Sequence, residues 1–424
     1  MLKRAELFEH QTVRVGEKLV NHDGGNGAVL TDAEHRAIDR FNRAHGERFF
    51  RVGLRDFTTT QFVGYLQVGN LAIEILPKAD RGTRKQDPRP WRDGLLEMLK
   101  IATGIRLETM PDSAQSVTRS SLIDVVALRF AEETERLLHQ GLAKGYREVE
   151  ENLPTFRGRL VFAEHLLANV ARADRFFVRY PTYDWDVTVN RIVGLALQTL
   201  EKLSLSPGTA TRVARCRSSF PDVSKVRLTP DLFDRVRLGR TTERYRSALV
   251  LARMILEQTT PELTHGRMPV FALLFDMNVV WERFIRALFK RAAPASLAVT
   301  SQDSRAFWKP GVQRSRTVRP DIVVRRRSDN SVRLVADTKW KVAPDGNPSD
   351  DDLRQMFVYN ELFGAPESVL LYPGVKNASA RRGSYLQRAH TCASVHLGLF
   401  EDGQWRVDRL RRQVSELLSA LDTG

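Results

Sequence analysis

Two alternating runs, Phe62-Val63-Gly64-Tyr65-Leu66-Gln67-Val68 and Leu71-Ala72-Ile73-Glu74-Ile75-Leu76, flank the dipeptide Gly69-Asn70. Apolar positions at every second residue on both sides of a two-residue turn predict a β-hairpin. Upstream, Thr31-Asp32-Ala33-Glu34 has the spacing in which a hydroxyl and a carboxylate each satisfy a backbone N–H at a helix start. A helix is predicted from there to about Gly46, a natural left-handed terminator. The polar, Pro-containing stretch 78–90 reads as a loop.

The period then lengthens. Leu95, Leu96, Leu99 and Ala102, closed by Gly104, have helical spacing, as do Leu122, Val125, Val126, Phe130, Leu137 and Leu138. Further helices are predicted over 189–203, capped by Thr188, and over 244–258. Residues 152–160 read as a turn or strand, and 261–269 as a boundary. The last third changes character again. A helix over 278–291 precedes short strands at 297–300, 319–326 and 332–338, with Ser328-Asp329-Asn330 as the turn between the last two. A helix over 350–363, capped by Ser349 or Asp350, leads to strands at 368–372 and 393–399 and a closing helix at 407–421. The expected order there is α-β-β-β-α-β-β-α. The fold class is therefore multidomain α+β or α/β. Residues 1–90 form an N-terminal β-rich α+β domain, 91–262 a mainly helical middle domain, and 263–424 a mixed sheet flanked by helices.

Composition adds a partner class. The 424 residues carry a formal charge of +15 with pI near 10.1, which favours a polyanion such as nucleic acid. No apolar run is long enough to span a membrane. The two cysteines, Cys216 and Cys392, lie far apart and suggest neither a disulfide framework nor a zinc site, so a cytoplasmic location is expected. There is no G-x-x-x-x-G-K-[ST], so no nucleotide site is expected on this chain; Gly24-Gly25-Asn26-Gly27 lacks the lysine and reads as a turn.

The candidate chemistry sits where buried strands are predicted. Asp321 opens one strand, and Asp337 ends the next, two residues before Lys339. Alternation puts Asp337 and Lys339 on one face, and neighbouring strands bring Asp321 beside Asp337. Close carboxylates repel unless a cation lies between them. A hard divalent ion fits, with the carbonyl of Thr338 as a third ligand and Glu282, in the preceding helix, as another carboxylate within reach. Lys339 would then face the scissile phosphate or the attacking water. Taken alone, the pattern is more often a turn aspartate and a strand-end salt bridge. Gln355 and Tyr359, four apart on the next helix, share a face that can hold the lysine, the carboxylates or a phosphate. Lys309, Arg314, Arg316, Arg319 and Lys341 are candidate DNA contacts. For Phe307 and Trp308, core packing is expected ahead of base stacking.

These motifs resemble the PD-(D/E)xK nucleases and, within them, the McrC family, the nuclease subunit of McrBC-type modification-dependent restriction systems. The resemblance rests on Gly64-Tyr65-Leu66…Ile73-Glu74-Ile75-Leu76-Pro77-Lys78, Asn152-Leu153…Arg157-Gly158-Arg159-Leu160, Asp186…Asn190-Arg191 and Phe275-Asp276-Met277-Asn278…Trp281-Glu282. It continues through Pro320-Asp321, Asp337-Thr338-Lys339 and Asp352-Leu353-Arg354-Gln355…Tyr359. Thr338 and Trp340 stand where the family commonly has alanine and an aromatic residue. The resemblance implies a Mg²⁺-dependent endonuclease, with Mn²⁺ as a substitute. It implies a role in antiviral defence alongside a McrB-like AAA+ GTPase hexamer that binds methylated or otherwise modified double-stranded DNA. The N-terminal region would dock in that ring and stimulate its hydrolysis. Two other functions share these residues: a catalytically weak adaptor that stimulates the ring, and a stand-alone RecB-like repair exonuclease.

Overall fold

The computed structural model describes residues 3–20, 28–78, 88–103, 121–229, 231–257, 270–301, 303–311, 314–341, 347–374 and 380–422. The turn expected at 24–27, most of the loop at 78–90, the helix end at Gly104 and the boundary at 261–269 lie outside them. No described helix is long and apolar enough to cross a membrane. The chain forms two units, one joining residues 1–122 with 262–424 and the other comprising 123–261.

The first unit opens with β1 (Lys3–Phe8), β2 (Thr12–Arg14) and α1 (Asp32–Ala44). Then come β3 (Phe50–Val52), β4 (Asp56–Thr59), β5 (Phe62–Val68), β6 (Leu71–Leu76) and α2 (Arg89–Thr103). Helix α1 has the predicted reciprocal cap: Glu34 N donates to Thr31 Oγ1 at 3.3 Å, and Thr31 N donates to Glu34 Oε2 at 2.9 Å. Strands β5 and β6 pair antiparallel with Val68 opposite Leu71, so Gly69-Asn70 is the turn, with Gly69 at φ 54°. Strand β1 lies parallel to β6 and sets Glu6 beside Glu74. Both glutamates are buried and both accept from Arg92 of α2, Glu6 at 2.5 Å and Glu74 at 2.9 Å. The apolar faces of these strands and α1 enclose Phe41, Phe49, Phe57, Leu66 and Ile73, each worth roughly 1.5–3 kcal/mol of burial.

The second unit contains α3 (Leu122–His139), β7 (Gly145–Leu153), β8 (Arg159–Leu160), α4 (Phe162–Asn169), β9 (Phe176–Asp184), α5 (Thr188–Leu200), α6 (Pro207–Ser219) and α7 (Arg246–Glu257). Its helices match the expected helical character, but β7, β9 and β8 form a three-stranded sheet, of which the pattern predicted just the turn or strand at 152–160, where β7 ends and β8 lies. The sheet is joined across its strands by polar pairs rather than an apolar face: Tyr180 donates to Glu151 at 2.8 Å, and Arg147 pairs with Asp184 at 3.0 Å. Thr188 is the first residue of α5, not its cap; Val187 holds that position without a side-chain bond.

The chain returns to the first unit at β10 (Val270–Asp276), which pairs antiparallel with β5 and completes a sheet in the order β1-β6-β5-β10. Gly64 lies at φ +138° on β5, and a β-carbon there would sit 2.0 Å from the Leu273 carbonyl oxygen, so this close strand approach admits only glycine. Residues 270–276, read from the sequence as part of the last segment, thus share a sheet with the first. Asp276 caps α8 (Met277–Ala292), accepting from Asn278 N at 2.9 Å.

The remaining elements are β11 (Leu297–Thr300), β12 (Arg305–Trp308), β13 (Arg316–Val318), β14 (Ile322–Arg326), β15 (Val332–Thr338), α9 (Asp350–Phe363), β16 (Glu367–Gly374), β17 (Arg381–Ser384), β18 (Thr391–Gly398), β19 (Phe400–Glu401), β20 (Gln404–Trp405) and α10 (Val407–Asp422). Six of these strands form a mixed sheet, β11-β14-β15-β16-β18-β17. Its centre, β15-β16-β18, is parallel, and its flanks are antiparallel. Buried Val323, Val335, Leu370 and Tyr372 pack there against Met356, Tyr359 and Phe363 of α9. The strand expected at 319–326 begins at Ile322, because β12 and β13 form a separate two-stranded ribbon just before it.

Candidate functional site

The site lies at the end of β15. The β14–β15 ladder pairs Ile322 with Ala336, and one further antiparallel step sets Asp321 opposite Asp337. Thr338 donates twice to Asp321 Oδ2, from its backbone N–H and from its hydroxyl, both at 2.7 Å. Asp337 is 4% exposed and pairs with Lys339 Nζ at 2.6 Å. Burial, and then the charge of Asp321, push the Asp337 carboxyl up to about 6 against the opposing pull of Lys339.

Helix α9 supplies the other wall. Lys339 Nζ donates to Gln355 Oε1 at 2.8 Å, Gln355 Nε2 donates to the Tyr359 hydroxyl at 2.7 Å, and that hydroxyl donates to the Arg319 carbonyl at 3.2 Å. Gln355 and Tyr359 therefore meet the lysine and the chain leading to Asp321, rather than a carboxylate. Burial and then the Asp337 charge raise the Tyr359 phenol, so it stays a neutral donor.

Glu282 is half-buried on α8, 3.6 Å from Arg286. Burial and then the Asp321 charge hold its carboxyl above the usual range, against Arg286, Arg319 and Arg283. It shares the field of Asp321, yet among the described residues no three His, Cys, Asp or Glu side chains form a ready-made metal cluster. Two carboxylates with an open remainder suit Mg²⁺, which keeps several waters and takes one or two carboxylates plus substrate phosphate. The donor set is entirely hard oxygen, and the mutual repulsion of its acids leaves room for a cation to stabilise them.

Of the basic candidates, Lys309, Arg314, Arg316 and Arg319 are exposed, whereas the Lys341 ammonium is committed to Asp352 at 2.6 Å. Phe307 and Trp308 are 52% and 53% exposed, against the expectation of core packing. Their ribbon has only two strands, and among its apolar side chains it is Val318 that packs against the core.

Two residues at the site escaped the sequence reading of roles. Asp352, one turn before Gln355, lies 3.8 Å from Lys339 and accepts from Tyr372 at 3.0 Å. Burial raises its carboxyl, but hydrogen bonds from Lys341, Ser349 and Tyr372 outweigh that and hold it below the usual range. Its i,i+3 spacing from Gln355 was the available signal. Glu9 had none. It follows β1, is 4% exposed, and accepts from Trp340 Nε1 at 3.0 Å and from Lys78 N at 3.1 Å.

Burial pushes the Glu9 carboxyl from the ordinary 4.5 up to about 8, against the hydrogen bonds from Trp340 and Lys78. Between those pH values the folded chain holds a proton that the unfolded chain has released. Stability from this group is thus full below about 4.5 and is lost as pH rises through about 8, by up to about 1.4 kcal/mol per pH unit. Glu9→Gln should flatten the decline in thermal midpoint from pH 5 to 8.5. Parallel profiles for the two proteins would mean that Glu9 is ionised throughout.

A family model described as McrBC 5-methylcytosine restriction system component matches residues 57–373. The type IV methyl-directed restriction enzyme EcoKMcrBC of Escherichia coli (strain K12) is 20% identical over 252 residues, 57% of this chain and 71% of that protein. A solved structure, the refined half-complex from a tetradecameric assembly of Thermococcus gammatolerans McrB AAA+ hexamers with bound McrC, contains a chain of the same fold. It aligns with a TM-score of 0.66 at 20% identity, over 98% of this chain and 100% of that one.

Proposed function

The chain belongs to the McrBC 5-methylcytosine restriction system component family, and from that membership we propose that it is the DNA-cleaving subunit, a PD-(D/E)xK endonuclease acting with a McrB-like AAA+ ring. The observation that carries the reading is the meeting of Asp321, Asp337 and Lys339 at one strand end, with Gln355 holding the lysine. The reaction is hydrolysis of a phosphodiester. Water adds to phosphorus, the bond to one ester oxygen breaks, and that oxygen leaves with a proton.

Asp321 and Asp337 would hold a Mg²⁺ or Mn²⁺ ion, with the Thr338 carbonyl and Glu282 completing its surroundings. When bound, such an ion supplies Lewis acidity toward the phosphate and its attacking water. The two hydrogen bonds from Thr338 fix the Asp321 carboxylate so that its free oxygen is aimed before substrate arrives. Lys339, shared between Asp337 and Gln355, places an ammonium where negative charge grows on the phosphoryl oxygens. The charge of +15 suits a DNA substrate, and the ring would supply recognition of the modified base and movement along it. The ring would in turn hydrolyse nucleotide faster when this chain is docked.

The test mixes the chain with a McrB-type ring, GTP or ATP, and Mg²⁺. Plasmid bearing 5-methylcytosine should be cut, and cutting should fail without the ring or with EDTA. Accelerated nucleotide hydrolysis with every modified plasmid left intact would make the chain an adaptor instead. Degradation from DNA ends without the ring would make it a repair exonuclease.

A further inference from the structure

We propose that the ribbon of β12 and β13 holds a displaced DNA strand beside the cleavage site, with Trp308 stacking on an unpaired base and Lys309, Arg314 and Arg316 taking the neighbouring phosphates. The proposal rests on the DNA-cleaving reading above. All four residues of β12 are exposed, and Trp308 and Phe307 each show about half their surface to solvent. A register shift between Ala306 and Trp308 interrupts the ladder there, and such bulges re-aim side chains at the rims of sites. The Arg316 guanidinium sits 5.8 Å from the centre of the Trp308 ring. The guanidinium lies over one face of this exposed indole, and aromatic rings paired with arginine are what bases of any sequence stack on.

Charge selects the occupant. Residues 305–319 contain Arg305, Lys309, Arg314, Arg316 and Arg319 and no Asp or Glu. Among the described residues no carboxylate pairs with Lys309, Arg314 or Arg316. An acidic strand with exposed rings matches that surface. The ribbon is also fixed to the site: Arg305 donates to the Leu362 carbonyl at 2.7 Å and lies 4.8 Å from the Phe363 ring, both on α9. The Arg319 carbonyl at its other root receives the Tyr359 hydroxyl, the end of the chain of bonds from Lys339 through Gln355. A strand seated on Trp308 is thereby held in register with Lys339.

The experiment uses the full chain carrying Asp337→Ala, in EDTA, and follows fluorescence anisotropy of a fluorescein-labelled single strand of about 20 nucleotides. The same strand fully paired serves as the comparison. Trp308→Ala should weaken single-strand binding about tenfold, with a smaller loss on the duplex, and Trp308→Tyr should restore it. The pair Arg314→Ala with Arg316→Ala should reduce the slope of log affinity against log salt on the single strand by about 1.4. Unchanged binding by Trp308→Ala, equal losses for Trp308→Ala and Trp308→Tyr, or a parent that binds neither oligonucleotide would overturn the proposal. Binding here needs no cleavage. A loss on Trp308→Ala here, together with a wild-type chain that never cuts in the ring assay, therefore leaves the ribbon standing and removes the nuclease reading.

Discussion

Replacing Asp337 or Lys339 with alanine should lower DNA cleavage by at least about 10²–10³-fold. The two substitutions act on different parts of one geometry. Asp337→Ala removes an acid that is already costly to ionise, because it is 4% exposed and feels the charge of Asp321. Folding is therefore expected to survive it, and the thermal midpoint should hold or rise. Lys339→Ala leaves Asp337 and Gln355 without their shared ammonium and removes the positive charge proposed to face the phosphoryl oxygens. Lys339→Arg is not a rescue, since a planar guanidinium cannot occupy the place of a compact ammonium between those two acceptors. Asp321→Asn separates scaffold from chemistry. An asparagine oxygen still accepts from Thr338, so the strand end stays closed, while the charge that would draw a cation is gone. Cleavage should fall as far as with Asp337→Ala, at an unchanged unfolding midpoint. Robust cutting by all three variants, measured with the ring and nucleotide present, would remove the assigned roles.

The largest expected loss of stability comes from Arg92→Met. Glu6 and Glu74 are neighbours across the β1–β6 ladder, both buried, and Arg92 donates to each. Burial raises the Glu74 carboxyl in spite of the arginine. Without the guanidinium, two carboxyls would face each other in the core, and the fold should lose about 3–5 kcal/mol. A urea titration reads this as a lower midpoint at constant slope. Adding Glu6→Leu and Glu74→Leu should recover most of the loss, because well-packed apolar groups often replace a buried ion cluster at little cost. A loss below about 1 kcal/mol in the single variant would show that the glutamates find other partners.

Local signals made much of the site legible. Helix α9 spans Asp350–Phe363 with Ser349 as its cap, as its sequence predicts. The turn at 328–330 and the strand at 332–338 follow from alternation and from Asn330, which takes φ 57°. These features depend on residues a few positions apart, and so does the placing of Asp337 and Lys339 on one face. What escaped was non-local or unpatterned. Strand β10 is apolar throughout most of its length, but its partner β5 lies far back in the chain, and no spacing rule points there. Strands β7 and β9 present polar residues that pair across the ladder, so apolar alternation is weak. Strands β12 and β13 carry no apolar stripe and meet the core through half-buried Val318, which also explains why the exposure of Trp308 was not foreseen. Glu9 reaches Trp340 across 331 positions, a contact only the assembled first unit creates.

The pairing of β5 with β10 has a consequence for synthesis. At ribosomal speeds of about 5–20 residues per second, the roughly 200 residues between the two strands take on the order of 10–40 s to emerge. Throughout that interval the outer edge of the early hairpin lacks its native neighbour and offers free amides and carbonyls to any passing strand. Asp321 and Asp337 arrive later still. A ribosome stalled before Val270 would thus hold an incomplete sheet, vulnerable to aggregation and still lacking the acids and the lysine of the candidate site.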